Sequence, residues 1–200
     1  MSEAGGGPEA GRVRAREMAG RLAASNPDAT RSLTLTWQDP LASAAEGAGM
    51  SGLDYMKAIA AGEIPPAPIA VLLDMGPVEL AEGMVTFSGQ PGEEHYNPIG
   101  IVHGGYAATV LDSAIGCAVH TTLPAGMAYA SLGLEVKYQR AITRDTGEIL
   151  CRAEVSYRGR RQATADARLT AASTGKLLAT GTGTCMLLGT DLTENQAGNA

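Results

Sequence analysis

From Ser131 onward, apolar and polar positions alternate with a period of two. Leu132, Leu134, Val136 and Tyr138 fall on one side of the first run, and Ser131, Gly133, Glu135, Lys137 and Gln139 on the other. Ile149, Cys151, Ala153, Val155 and Tyr157 then alternate with Arg152, Glu154 and Ser156, and Ala163, Ala165, Ala167 and Leu169 with Thr164, Asp166, Arg168 and Thr170. A fourth run, 177–188, places Thr180, Thr182 and Thr184 on one face. This period predicts half-buried strands. Asp145-Thr146-Gly147, Arg158-Gly159-Arg160 and Ser173-Thr174-Gly175-Lys176 supply the turns between them. Upstream, Ile69 to Glu79 and Met84 to Ser88 read as two more strands, joined through Glu82-Gly83.

The one long apolar run, Tyr106 to Thr122, has no polar face wide enough for solvent, so it predicts a helix buried nearly all round. Pro124 and Gly126 stop it. The order is two strands, one helix, four strands. Short turns between consecutive strands imply an antiparallel sheet, and only this helix is apolar enough to cover one face of it. The expected architecture is α+β: about six antiparallel strands wrapped around one long central helix.

Ahead of that domain, at 69–190, residues 37–68 form an N-terminal extension. Leu53 to Ala61 predicts a short helix there, ended by Gly62 and Pro65-Pro66. Residues 1–36 open on Gly5-Gly6-Gly7-Pro8 and are expected to be a flexible tail with a short Arg-rich helix over 12–24; residues 191–200 are expected to be a disordered tail.

Composition narrows the function. Aromatic residues make up only 4%, so the core must be aliphatic and stacking platforms for single-stranded nucleic acid are scarce. A net charge of -6 argues against a general nucleic-acid binder. Cys117, Cys151 and Cys185 are widely spaced and odd in number, which suits reduced thiols rather than a disulfide framework. The first 20 residues lack the apolar core of a secretory signal, and Asp112 interrupts the best membrane-span candidate. A cytoplasmic protein is expected.

The chemistry concentrates at the start of the helix. A carboxylate is costly to bury without a partner, so Asp112 must bond a hydroxyl such as Ser113, face a subunit boundary, or act on a substrate. Just upstream, His103-Gly104-Gly105 lets a ligand approach the backbone where first-turn N–H groups lack helical acceptors. With the helix dipole, those groups suit a carbonyl oxygen gaining negative charge.

The segment Asn97-Pro98-Ile99-Gly100-Ile101-Val102-His103-Gly104-Gly105-Tyr106-Ala107-Ala108-Thr109-Val110-Leu111-Asp112 resembles the signature of the PaaI-like thioesterases, hotdog-fold enzymes of the phenylacetyl-CoA and 4-hydroxybenzoyl-CoA type. The resemblance runs from about Ile69 to Leu188. It implies acyl-CoA hydrolysis without metal or cofactor by a dimer or tetramer. It further implies that Asp112 activates water or attacks the thioester, that the Gly104 N–H polarises the carbonyl, and that Asn97 assists it. By the same resemblance Ser131 positions water and His103 orients the motif. Gly105 and Tyr106 are expected to bind the substrate, and Met127 and Tyr129 are further candidates for the pocket wall.

Gly104 and Asp112 stand eight residues apart, roughly 12 Å along one helix. One small thioester hardly reaches both groups of one chain, so two antiparallel helices of an obligatory homodimer are expected to share each site. Arg158, Arg160 and Arg161 form the basic cluster suited to the CoA phosphates. No Gly-x-Ser-x-Gly elbow or P-loop is present, and His95, His103 and His120 lack metal spacing. The competing readings are a non-catalytic acyl-CoA sensor and a hotdog hydratase or dehydratase.

Overall fold

The computed structural model describes residues 17–21 and 23–189. The chain divides into two units, 1–35 and 36–200. In the first, residues 17–21 and 23–25 are helical and Pro27–Ala29 form a 3-10 turn. Residues 1–16 of the expected tail, with the first part of the expected helix over 12–24, and the expected tail at 191–200 lie outside the described residues.

The second unit begins with three short helices. In α1 (Pro40–Gly47), Asp39 caps the N-terminus by accepting from the Leu41 N–H at 2.9 Å. In α2 (Gly52–Ala60), Ser51 Oγ accepts from the Asp54 N–H and donates to Asp54 Oδ2, so two neighbouring polar groups satisfy the helix start. Gly62, at φ +75°, ends that turn of chain. Then α3 (Pro68–Leu72) starts on a proline, whose fixed φ suits a first helical position. The strand expected from Ile69 therefore starts late. Ile69 to Leu72 are helical, and Asp74, at φ 45°, turns the chain into β1 (Met75–Ala81). Ile69 to Leu73 has no alternation, and a Pro at the first helical position outweighs β-branched content there.

The remaining elements are β2 (Met84–Gly89), α4 (Gly104–His120), β3 (Met127–Tyr138), β4 (Ile149–Arg158), β5 (Gln162–Ala171) and β6 (Leu177–Gly189). The six strands make one antiparallel sheet in the order β1-β2-β4-β5-β6-β3. It wraps around α4, which touches β2, β3, β4, β5 and β6. This is the hotdog arrangement expected from the sequence. Pro77, which lacks an N–H, lies in the edge strand β1 at a register shift, the kind of position where a sheet tolerates proline.

The sheet floor is built of small side chains. Ala163, Ala165 and Ala167 in β5 are buried, and Gly181 and Gly183 in β6 lie under the helix. A Cβ at Gly183 would stand 2.7 Å from Cγ2 of Ile115. These gaps let Leu111 and Ile115 sink into the sheet completely, each burial contributing about 1.5–3 kcal/mol. At its far end α4 is stitched to the β1–β2 hairpin: Thr121 Oγ1 donates to the Ala118 carbonyl and accepts from the Gly83 N–H.

Register shifts break the expected alternation in several strands, among them β3 and β4. In β3, Ser131 pairs with Cys185 and Gly133 with Thr184, which leaves Leu132 as the extra residue. The sequence period puts Ser131 opposite Leu134; instead the bulge turns both toward α4 and leaves Leu132 52% exposed. In β4 the extra residue is Ser156, so Tyr157 turns outward and is exposed.

Candidate active site

The loop before α4 is held by its own polar groups. The Asn97 N–H donates to the Ile101 carbonyl, and Asn97 Oδ1 accepts from the Ile99 and Ile101 N–H groups at 3.1 and 3.3 Å. Gly100 supplies the positive φ that this tight turn needs. The Val102 and His103 N–H groups are anchored on the Ile142 and His95 carbonyls. The Asn97 carboxamide oxygen is thus committed to the loop, while its NH2 group makes no hydrogen bond among the described residues.

His103 is the N-cap of α4. Its Nδ1 accepts from the Gly105 N–H at 2.8 Å, which leaves Nε2 as the protonated nitrogen of the neutral ring. His103 therefore takes the Gly105 donor out of play, and among the described residues the Gly104 N–H has no acceptor. Tyr138 packs on Gly104 and donates to its carbonyl at 3.1 Å, and a Cβ at 104 would crowd the tyrosine ring, 3.2 Å from its Cζ. Asn97, His103 and Gly104 share a cavity of about 290 Å³ with Arg140, whose guanidinium donates to the Leu177 carbonyl.

Asp112 lies two turns down α4. Ser131 Oγ donates to Asp112 Oδ1 at 3.0 Å, a contact that the β3 bulge makes possible. The carboxylate opens into a different, largely apolar cavity of about 380 Å³. Beyond it along the same wall stand Ser113, Cys117 and His120 of α4 and Tyr129 of β3. Burial pushes the Cys117 thiol up to about 12 and raises the Tyr129 phenol, so neither is a nucleophile near neutral pH. Burial also lowers the pKa of His120, whose Nδ1 has no hydrogen-bond partner among the described residues.

The structure thus brings Asp112 to Ser131, and Asn97 to His103 and Gly104, but keeps the two groups in separate cavities of one chain. Tyr106 is a core residue: its hydroxyl donates to the Leu73 carbonyl and its ring packs on His95, so it lines neither cavity. Of the three expected wall residues, Tyr129 lines the Asp112 cavity, whereas Tyr106 and Met127 do not. Arg158, Arg160 and Arg161 are exposed at the β4–β5 turn and line neither cavity.

Sequence reasoning missed Arg140, His120 and the extension residues of the Asp112 cavity. One signal was available: Asp112, Ser113, Cys117 and His120 all fall within one side of a 3.6-residue helix. Among the described residues no cluster of three His, Cys, Asp or Glu side chains could hold a metal ion, and no helix is long and apolar enough to cross a membrane.

Residues 99–178 match the family model of the thioesterase superfamily. No curated protein matches the chain. Among solved structures, the phenylacetic acid degradation-related protein of Ralstonia eutropha JMP134 is 28% identical with a TM-score of 0.60, over 66% of this chain and 98% of its own. A thioesterase family protein from Silicibacter pomeroyi is 26% identical with a TM-score of 0.58, over 66% and 94%. A point mutant of the phenylacetic acid degradation protein PaaI from Thermus thermophilus is 28% identical with a TM-score of 0.54, over 60% and 98%. These proteins are matched almost whole, yet a third or more of this chain extends beyond them.

Proposed function

We infer, from the chain's membership of the PaaI-like thioesterases of the thioesterase superfamily, that it hydrolyses an acyl-CoA thioester to the free acid and CoA. One observation carries this reading: a carboxylate, Asp112, held by Ser131 in the wall of a largely apolar cavity large enough for an acyl group.

The thioester carbonyl sits between the two kinds of group. Its oxygen takes hydrogen bonds from the Gly104 N–H and the Asn97 NH2, both without another acceptor among the described residues, and the α4 dipole adds to their pull. On the opposite side Asp112 either removes a proton from the attacking water or attacks the carbon itself, and the thiolate of CoA leaves. His103 keeps the loop and helix start in register, with Gly105 beside it.

Gly104 and Asp112 of one chain open into different cavities, which supports a site completed by a second copy. A two-fold axis that sets two α4 helices antiparallel places Asp112 of one protomer near Gly104 of the other. The edge strand β3 favours such an assembly, since among the described residues no strand pairs with its outer side, and it exposes Leu132 and Tyr138. Arg158, Arg160 and Arg161 then serve the CoA phosphates. Their joint replacement by Ala should raise KM more for CoA thioesters than for pantetheine thioesters; equal effects reject that role.

The test is release of free thiol from a panel of aromatic, short-chain and long-chain acyl-CoAs. Turnover that disappears in Asp112→Ala supports the reading. Tight CoA binding with no thiol release from any acyl class would instead make the chain a sensor. Label from H₂¹⁸O in a single turnover separates direct attack by Asp112 from activation of water.

A further inference from the structure

The Asp112 cavity is only half built by the hotdog core. One wall is α4 and the sheet, from Asp112 to His120 with Phe87 and Tyr129; the facing wall is the extension, through Pro40, Tyr55, Met56, Ile59, Pro66 and Ile69. We propose that α1, α2 and α3 are a specificity wall that closes the acyl pocket at its deep end and restricts the substrate to uncharged acyl groups of medium length. This rests on the hydrolase reading above and adds to it the class of acyl group.

The wall is fixed to the core. The Gly52 N–H, at the start of α2, donates to the Leu123 carbonyl at 2.9 Å. Gly52 lies so close to the His120 carbonyl that no side chain fits between them. Tyr55, one turn on, meets the His120 ring edge-on with centroids 5.7 Å apart, and Tyr129 flanks that ring from the sheet at the same distance. Gly47 leaves room for the Tyr55 ring, which locks α1 onto α2. Met56 is buried and Ile59 packs against the core, so this surface is an ordered wall and not a loose flap. The three helices thus form part of the same packed body as the site.

Depth follows from the helix. Asp112 and His120 both line the cavity and stand eight residues apart, so the pocket runs about 12 Å along α4, the reach of roughly eight to ten carbons. Beyond His120 the Tyr55–His120–Tyr129 group closes it. Among the described residues no Lys, Arg or Glu lines the cavity, and its deep-end polar groups favour their neutral forms. A charged acyl terminus would lose its hydration there without gaining a counter-ion. An aryl or straight apolar chain fits; a long fatty acyl chain must displace the wall.

The experiment measures kcat/KM by thiol release for acyl-CoAs of two to sixteen carbons, with the wild type, Ile59→Trp and Tyr55→Ala. The wild type should rise toward about eight to ten carbons and fall beyond, since a methylene in a fitted pocket is worth on the order of tenfold. Ile59→Trp fills the pocket and should lower the octanoyl-to-acetyl ratio about tenfold. Tyr55→Ala opens the deep end and should raise the hexadecanoyl-to-octanoyl ratio. Opposite shifts in the two variants cannot come from poor folding, which lowers all lengths together. A wild type indifferent to length beyond eight carbons, or variants that scale every length by one factor, overturns the wall. If Asp112-dependent hydrolysis survives that outcome, the hydrolase reading stands without it; if no acyl-CoA is cleaved, both fall.

Discussion

Ser131 donates to Asp112 across 3.0 Å, and this bond joins the edge strand of the sheet to its central helix beside the largely apolar cavity that Asp112 lines. Replacing the acid should remove the base or nucleophile, so Asp112→Ala is expected to lose on the order of 10²–10⁴ in kcat. Ser131→Ala leaves the carboxylate in place without its orienting bond, and its loss in kcat should be smaller, about tenfold. The double variant should be no worse than Asp112→Ala alone, because the serine acts through the acid. Steady-state thiol release on the three proteins checks this; additive losses would give Ser131 a separate role.

Asn97 and Asp112 offer a test of the shared site. Asn97→Asp keeps the oxygen that accepts from Ile99 and Ile101 but removes the donor NH2. Each single variant should be nearly inactive. Mixed and allowed to exchange subunits, they should recover roughly a quarter of wild-type activity, because half of the dimers are hybrids with one intact site of two. No recovery under demonstrated exchange places both residues in the same chain's site.

Gly183 and Ile115 define how closely the helix approaches the sheet. A methyl group at 183 would come within 2.7 Å of Ile115, deep in the core where neither partner has room. Gly183→Ala should cost about 1–3 kcal/mol of stability by overpacking. Denaturant melts report it as a lower midpoint at unchanged m-value.

His120 makes stability depend on pH. Its folded-state pKa lies below the usual 6.5 because burial disfavours the charged ring. Between that folded value and about 6.5 the unfolded chain binds the proton and the folded chain does not, so stability rises with pH there. Its contribution is fully present above about 6.5 and is lost as pH falls toward the folded pKa. His120→Gln should flatten the slope of unfolding free energy over that window by up to about one proton. Identical slopes in urea melts of the two proteins across that window would exclude His120 as the cause.

Much of the fold was legible because it rests on local periodicity. Ala163, Ala165, Ala167 and Leu169 alternate in the sequence and are all buried on the helix side of β5. Thr122 and Pro124 stand just past the helix end at His120. The failures share a cause. Leu132 and Ser156 are extra residues whose presence depends on pairing with another strand, so no local window announces them. Tyr106 had the right neighbours for a pocket residue, but its ring direction was set by His95 and Leu73.

The sequence alone determined that one apolar helix must lie inside an antiparallel sheet, and that a lone acid and a glycine pair stand on that helix. Those conclusions follow from hydrophobic period and from the cost of burying a carboxylate, both properties of neighbouring residues. Tertiary structure decided what the acid touches. A one-residue bulge turned Ser131 toward Asp112, and the packing of Gly52 on the His120 carbonyl drew three preceding helices over the cavity. Each of those outcomes depends on contacts between distant segments, whose register and close approach are settled only when the whole chain has packed.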